Sequence, residues 1–74
     1  MSKLIRMDRT GHTTLAEWQR GDARGREEAE AALLRELERG MVASATGADG
    51  SAEIVREIPQ DADLVVLRRP IAGG

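Results

Sequence analysis

The sequence predicts a one-sided α+β domain, with a single helix laid on a sheet of five short strands. Three observations point there. Residues 26–39 alone combine helix-forming composition with helical spacing of apolar positions. Short apolar or alternating runs flank that segment on both sides, separated by glycine- or proline-bearing turns. A chain of 74 residues makes one domain at most, and its single helix covers only one face of a sheet.

Taken in order, Lys3 to Asp8 alternates loosely, with Ile5 and Met7 sharing a face and Leu4 partly buried, which predicts a first strand. Arg9-Thr10-Gly11-His12 reads as a turn in which Gly11 supplies positive φ. Thr13 to Trp18, rich in β-branched residues and closed by an aromatic, predicts the second strand of a hairpin. Gln19 to Gly25 reads as a polar loop. The helix is expected from Arg26 to Arg39, with Ala29, Leu33, Leu34 and Leu37 as its apolar stripe. Glu27 and Glu28 near its start and Arg35 and Arg39 near its end complement the macrodipole. Arg26–Glu30 and Glu36–Arg39 are expected as exposed pairs, each worth about a few tenths of a kcal/mol. Gly40 is the expected stop.

Met41 to Thr46 predicts a third strand, and Gly47 to Ser51 a tight turn. Ala52 to Ile58 returns as the fourth strand, with Ile54 and Ile58 on one face and Val55 on the other. Pro59 to Ala62 is a connection. Leu64 to Leu67 is an unbroken apolar run, the mark of a central strand covered on much of both faces. Set beside the first strand, it makes a parallel pair.

Composition narrows the chemistry. The chain has no cysteine, so thiolate catalysis, disulfides and Cys-ligated zinc are excluded. His12 is the only histidine, and it has no triad partner and no second histidine for a metal. Asp8, Asp22, Asp49, Asp61 and Asp63 are scattered in turns without calcium-loop spacing. Activity as an enzyme in its own right is therefore not expected. The net charge is −2 with both signs interspersed, which presents no basic face for nucleic acid. No apolar run approaches the ~20 residues of a membrane span, and Met1 to Ile5 lacks signal-peptide character. A cytoplasmic location is the expectation.

The last fourteen residues carry the most specific pattern. Asp61-Ala62-Asp63 leads into Leu64-Val65-Val66-Leu67, then Arg68-Arg69-Pro70-Ile71-Ala72 and Gly73-Gly74. With the order ββαβββ, this ending resembles the ubiquitin-like β-grasp superfamily, in which one helix packs on one face of a mixed sheet. It is similar both to the close of bacterial sulfur carriers and to the arginine-bearing tail of ubiquitin. The resemblance implies a body over 1–67 and a flexible diglycine tail over 68–74.

The resemblance also implies a chemistry. A carboxylate is a poor acyl donor, because its leaving group would be oxide. An ATP-using activating enzyme would adenylate Gly74, and a sulfur nucleophile would then displace the phosphate leaving group. The product is either a thiocarboxylate, for a sulfur carrier, or a thioester handed to an amine, for a protein modifier. Gly73 would permit close approach to the nucleotide, since it has no side chain. The chain itself would bind no cofactor. From Leu67, the tail reaches ~23 Å at ~3.3 Å per residue. Pro70 stiffens it, and Arg68, Arg69, Ile71 and Ala72 would be read by the partner, the arginines through acidic groups along an entry channel. The other partners implied are a conjugating enzyme, a deconjugating protease or a sulfur-acceptor protein. Lys3 is the only lysine, so self-conjugation runs through Lys3 or the N-terminus.

The competing reading is a non-catalytic structural or interaction module, because one fold hosts many functions. In that case the exposed sheet edge at the second or fourth strand would be the contact surface. The ubiquitin-like resemblance implies instead an apolar patch of Leu64, Val66 and Ile54 offered to reader proteins.

Overall fold

The computed structural model describes residues 1–47, 50–60 and 62–70. Within them the chain forms β1 (Ser2–Asp8), β2 (Gly11–Trp18), α1 (Ala23–Glu38), β3 (Val42–Thr46), β4 (Ala52–Val55) and β5 (Leu64–Arg68). The strands make one sheet in the order β2-β1-β5-β3-β4. β1 and β5 run parallel, and the other neighbours are antiparallel. The architecture is α+β with a mixed five-stranded sheet, compatible with a β-grasp.

β5 lies in the middle of the sheet, as its apolar run predicts. Val65 and Leu67 are fully buried against α1, with Leu4, Trp18, Ala29, Leu33, Ala43, Ala45, Ile58 and Ala62 completing the core. Four of the ten core positions are alanines, which fill little space between the two layers, while Leu4, Leu33, Leu67, Val65, Ile58 and Trp18 supply most of the apolar area.

Leu4, expected to be partly buried, is the residue through which β1 enters the core. Leu4 is fully buried and Arg6 also points to the helix side, whereas Ile5 is half-buried and Met7 exposed. The parallel register with β5 sets this, pairing Leu4 with Val65 and Arg6 with Leu67, both buried. In β2 the register slips, Leu4 pairing with Ala16 and Ile5 with Thr14, leaving Leu15 as an extra residue. Such a bulge lets two consecutive residues serve one side, and Leu15 and Ala16 both pack on the core. His12 belongs to β2, across from Met7, rather than to the turn.

The helix starts three residues earlier than expected. Asp22 caps it, accepting from the Gly25 backbone N–H at 3.0 Å. Asp22 and Gly25 read as loop residues because both are poor helix formers, but at the cap and first turn that penalty does not apply. Glu27 and Glu28 accordingly lie beyond the first turn, which contains no acid. Arg26 Nη2 donates to the Ile58 carbonyl at 2.8 Å, tying the first turns to the β4–β5 connection.

The other end behaves as predicted. Gly40 takes φ of +90°, its N–H donates to Leu37 O at 2.9 Å, and the Met41 N–H reaches back to Glu36 O at 3.1 Å. This pair of bonds is the Schellman closure, which needs a left-handed residue after the cap.

Two apolar expectations are corrected. Leu34 is 54% exposed, and the buried stripe runs Ala29, Leu33, Glu36. β4 stops at Val55, so Ile58 reaches the core from the following connection while Ile54 remains 77% exposed. The pair therefore share no face. The bond from the Gly50 N–H to Gly47 O, at 3.0 Å, marks the predicted turn. Residues 48 and 49 lie outside the described residues, as does Asp61 in the next connection.

Candidate functional site

The parallel pairing of β1 and β5 sends both strands to the same pole of the sheet. The last turn of α1 comes to that pole too, because Glu36 Oε1 accepts from Arg6 Nη1 at 3.1 Å. Arg68 is the final residue of β5, paired with Val42 and exposed. It therefore belongs to the sheet. Arg69 and Pro70 follow outside the ladder, both exposed. Ile71, Ala72, Gly73 and Gly74 lie outside the described residues.

Around the departure point of residues 69 and 70 is a cleft of about 1030 Å³. Arg6, Arg9, Arg39 and Arg69 line it together with Asp8 and Glu36. Glu36 is 7% exposed and sits between two guanidiniums, with Arg39 Nη1 at 3.7 Å from its second oxygen. The Glu36–Arg39 pair is thus half of a three-residue bridge, not an isolated surface contact. Arg6, the closer partner, is thirty positions away in the chain, which is why helical spacing alone does not reveal it. The available signal was a carboxylate at a stripe position three residues after Leu33.

Asp8 is held below the usual carboxylate range. The Thr10 hydroxyl donates to Oδ1 at 2.7 Å, the Thr10 backbone N–H donates to the same oxygen at 2.9 Å, and the positive charges of Arg6 and Arg69 add to the effect. The hairpin turn is therefore tied down by its own acid.

Lys3 stands at the other end of the sheet. It pairs with Leu64 at the start of β5, four residues before Arg68, so the two lie ~13 Å apart along the strand. Its ammonium is 3.8 Å from Glu17 Oε1 across the β1–β2 ladder, and half of the side chain is exposed.

The face away from α1 carries Leu64, Val66 and Ile54 by strand alternation. Val66 is nearly covered and Ile54 stands free, with Ser44 between them in register. Ile5 lies next to Val66 in the same row.

Among the described residues, no group of three or more His, Cys, Asp or Glu side chains is arranged to hold a metal ion. No described helix is long and apolar enough to cross a membrane. No protein-family model matches this chain, and neither a curated protein nor a solved structure matches it.

Proposed function

We propose that this chain is a β-grasp carrier of the ubiquitin-like kind, acting through an acyl group on Gly74. The observation that supports the reading most directly is the central position of β5, parallel to β1, with Arg69 and Pro70 leaving the ladder at one pole. A strand anchored by neighbours on both sides gives a following segment a rigid root. In this reading the activating enzyme joins the Gly74 carboxylate oxygen to the α-phosphate of ATP, and pyrophosphate leaves. A sulfur nucleophile then attacks the carbonyl carbon and AMP departs. Arg69, Pro70, Ile71 and Ala72 are the segment read on entry, with Arg68 at its base.

The test is intact and peptide mass spectrometry of the N-terminally tagged chain recovered from its native cells, beside a form lacking Gly73 and Gly74. The expected result is either exchange of sulfur for oxygen on the free chain or an isopeptide bond from Gly74 to a protein amine, each absent from the shortened form. An unmodified Gly74, with full function retained by the shortened form, overturns the proposal.

A second reading, an interaction module, draws on Ile54, 77% exposed on the edge strand β4. Edge strands accept further strands through their free backbone groups. Partner binding retained without Gly73 and Gly74 but lost in Ile54→Lys favours it.

A further inference from the structure

We infer that the cleft between the β1–β2 turn, the end of α1 and Arg69 is a docking site for a carboxylate-rich segment of a partner protein. This surface belongs to the folded body and is distinct from the tail residues discussed above, Arg69 apart.

The charge distribution carries the inference. Four arginines and two acids line the cleft. Among the described residues, the remaining seven Lys and Arg and nine Asp and Glu lie elsewhere. The described residues are therefore split into a pole of +2 and a remainder of −2. Both acids of the cleft are already engaged: Glu36 faces Arg6 and Arg39, and Asp8 accepts two bonds from Thr10. Among the described residues, Arg9 and Arg69 have no carboxylate within ion-pair distance. Arg39 is held only at 3.7 Å with 74% of its side chain exposed. Three guanidiniums thus converge on one concave surface with donors to spare. A guanidinium fork matches a carboxylate with two parallel hydrogen bonds, and complementary charge mainly raises association rate and selects the partner.

Nucleic acid fits less well. The only aromatic, Trp18, is buried and pairs with Ser2 at the opposite end of β1, so nothing at the cleft offers a surface on which bases stack.

Binding is read on the isolated full chain without ATP or an activating enzyme, so the result is independent of the acyl-transfer reading. The ¹⁵N-labelled protein is titrated with a hexaglutamate peptide, with inorganic phosphate and with a short single-stranded oligothymidine. Hexaglutamate is expected to shift amides of residues 6–10, 36–41 and 69 and to weaken with salt. Arg9→Glu combined with Arg69→Glu is expected to lower its affinity at least about tenfold, with the remaining amide spectrum intact. Arg20→Glu combined with Arg24→Glu makes the same change in net charge at two exposed positions outside the cleft, and is expected to leave the affinity within about twofold. Shifts mapping elsewhere, equal losses in both double variants, or displacement of the peptide by phosphate or oligothymidine at equal concentration would each overturn the proposal.

Discussion

Arg6 on β1 and Glu36 on α1 meet across 3.1 Å, thirty residues apart in sequence, and their contact fastens the last turns of the helix to the sheet. The two partners are unequally placed. The Glu36 side chain is 9% exposed, whereas 34% of Arg6 reaches solvent.

That inequality predicts an asymmetric mutant cycle. Arg6→Met leaves a buried carboxylate with only the distant Arg39 and is expected to cost about 1–3 kcal/mol. Glu36→Leu leaves an arginine that can turn to water, so its cost is expected to be smaller, about 1 kcal/mol or less. The double variant should be more stable than Arg6→Met alone, since no orphaned charge remains. Urea unfolding midpoints at constant slope measure all three. Strictly additive single effects would show that the contact is not energetically coupled.

Gly25 gives a prediction that opposes helix propensity. Alanine is ordinarily favoured over glycine in a helix by about 1 kcal/mol. At position 25, however, a Cβ would stand 2.5 Å from Asp22 Oδ2 and 3.0 Å from Trp18 Cβ. Gly25→Ala therefore displaces the cap and presses the helix away from the end of β2. The expected outcome is a net destabilisation of about 1 kcal/mol, after loss of a cap worth about 0.5–2 kcal/mol. Thermal unfolding of the two proteins is the check, and a raised midpoint for the alanine variant would refute the packing argument.

The Asp8–Thr10 turn predicts a pH effect with a definite sign. Because Asp8 titrates lower folded than unfolded, its contribution to stability is present above the ordinary carboxylate range and disappears as pH falls through the depressed folded value. Thr10→Val removes the hydroxyl donor, the largest cause, and keeps the backbone N–H. The Asp8 carboxyl is expected to titrate higher in Thr10→Val, though still below its ordinary value. Carboxyl ¹³C titration of both proteins reads this directly, and superimposable Asp8 curves would contradict it.

Much of the fold was legible in local patterns. Leu64 to Leu67 marked the central strand because an apolar run covered on both faces has no other stable place in a small sheet. Gly40 marked the helix end because the closing turn demands positive φ. Where reading failed, two distant segments decided the outcome. Leu4 faces the core because the parallel register sets it beside buried Val65 of β5, while Ile5 stands beside Val66 on the other face. Ile58 reached the core from beyond its strand because the connection is held by Arg26 on the helix.

The candidate site divides along the same line. Arg68, Arg69 and Pro70 were picked out by their place after an apolar strand, a local signal. The cleft beside them was invisible in the sequence, where Arg6, Arg9, Arg39 and Arg69 are spread among other charges of both signs.

The amino-acid order by itself determined which segments extend and which coil, and that β5 would be interior, because backbone preference and apolar spacing act over a few residues. Only the tertiary structure decided which side of β1 turns inward, that a glutamate would occupy a core position, and that four arginines would share one pole. Those outcomes depend on strand register and on charges brought together across the chain, and both quantities exist only once the layers have packed.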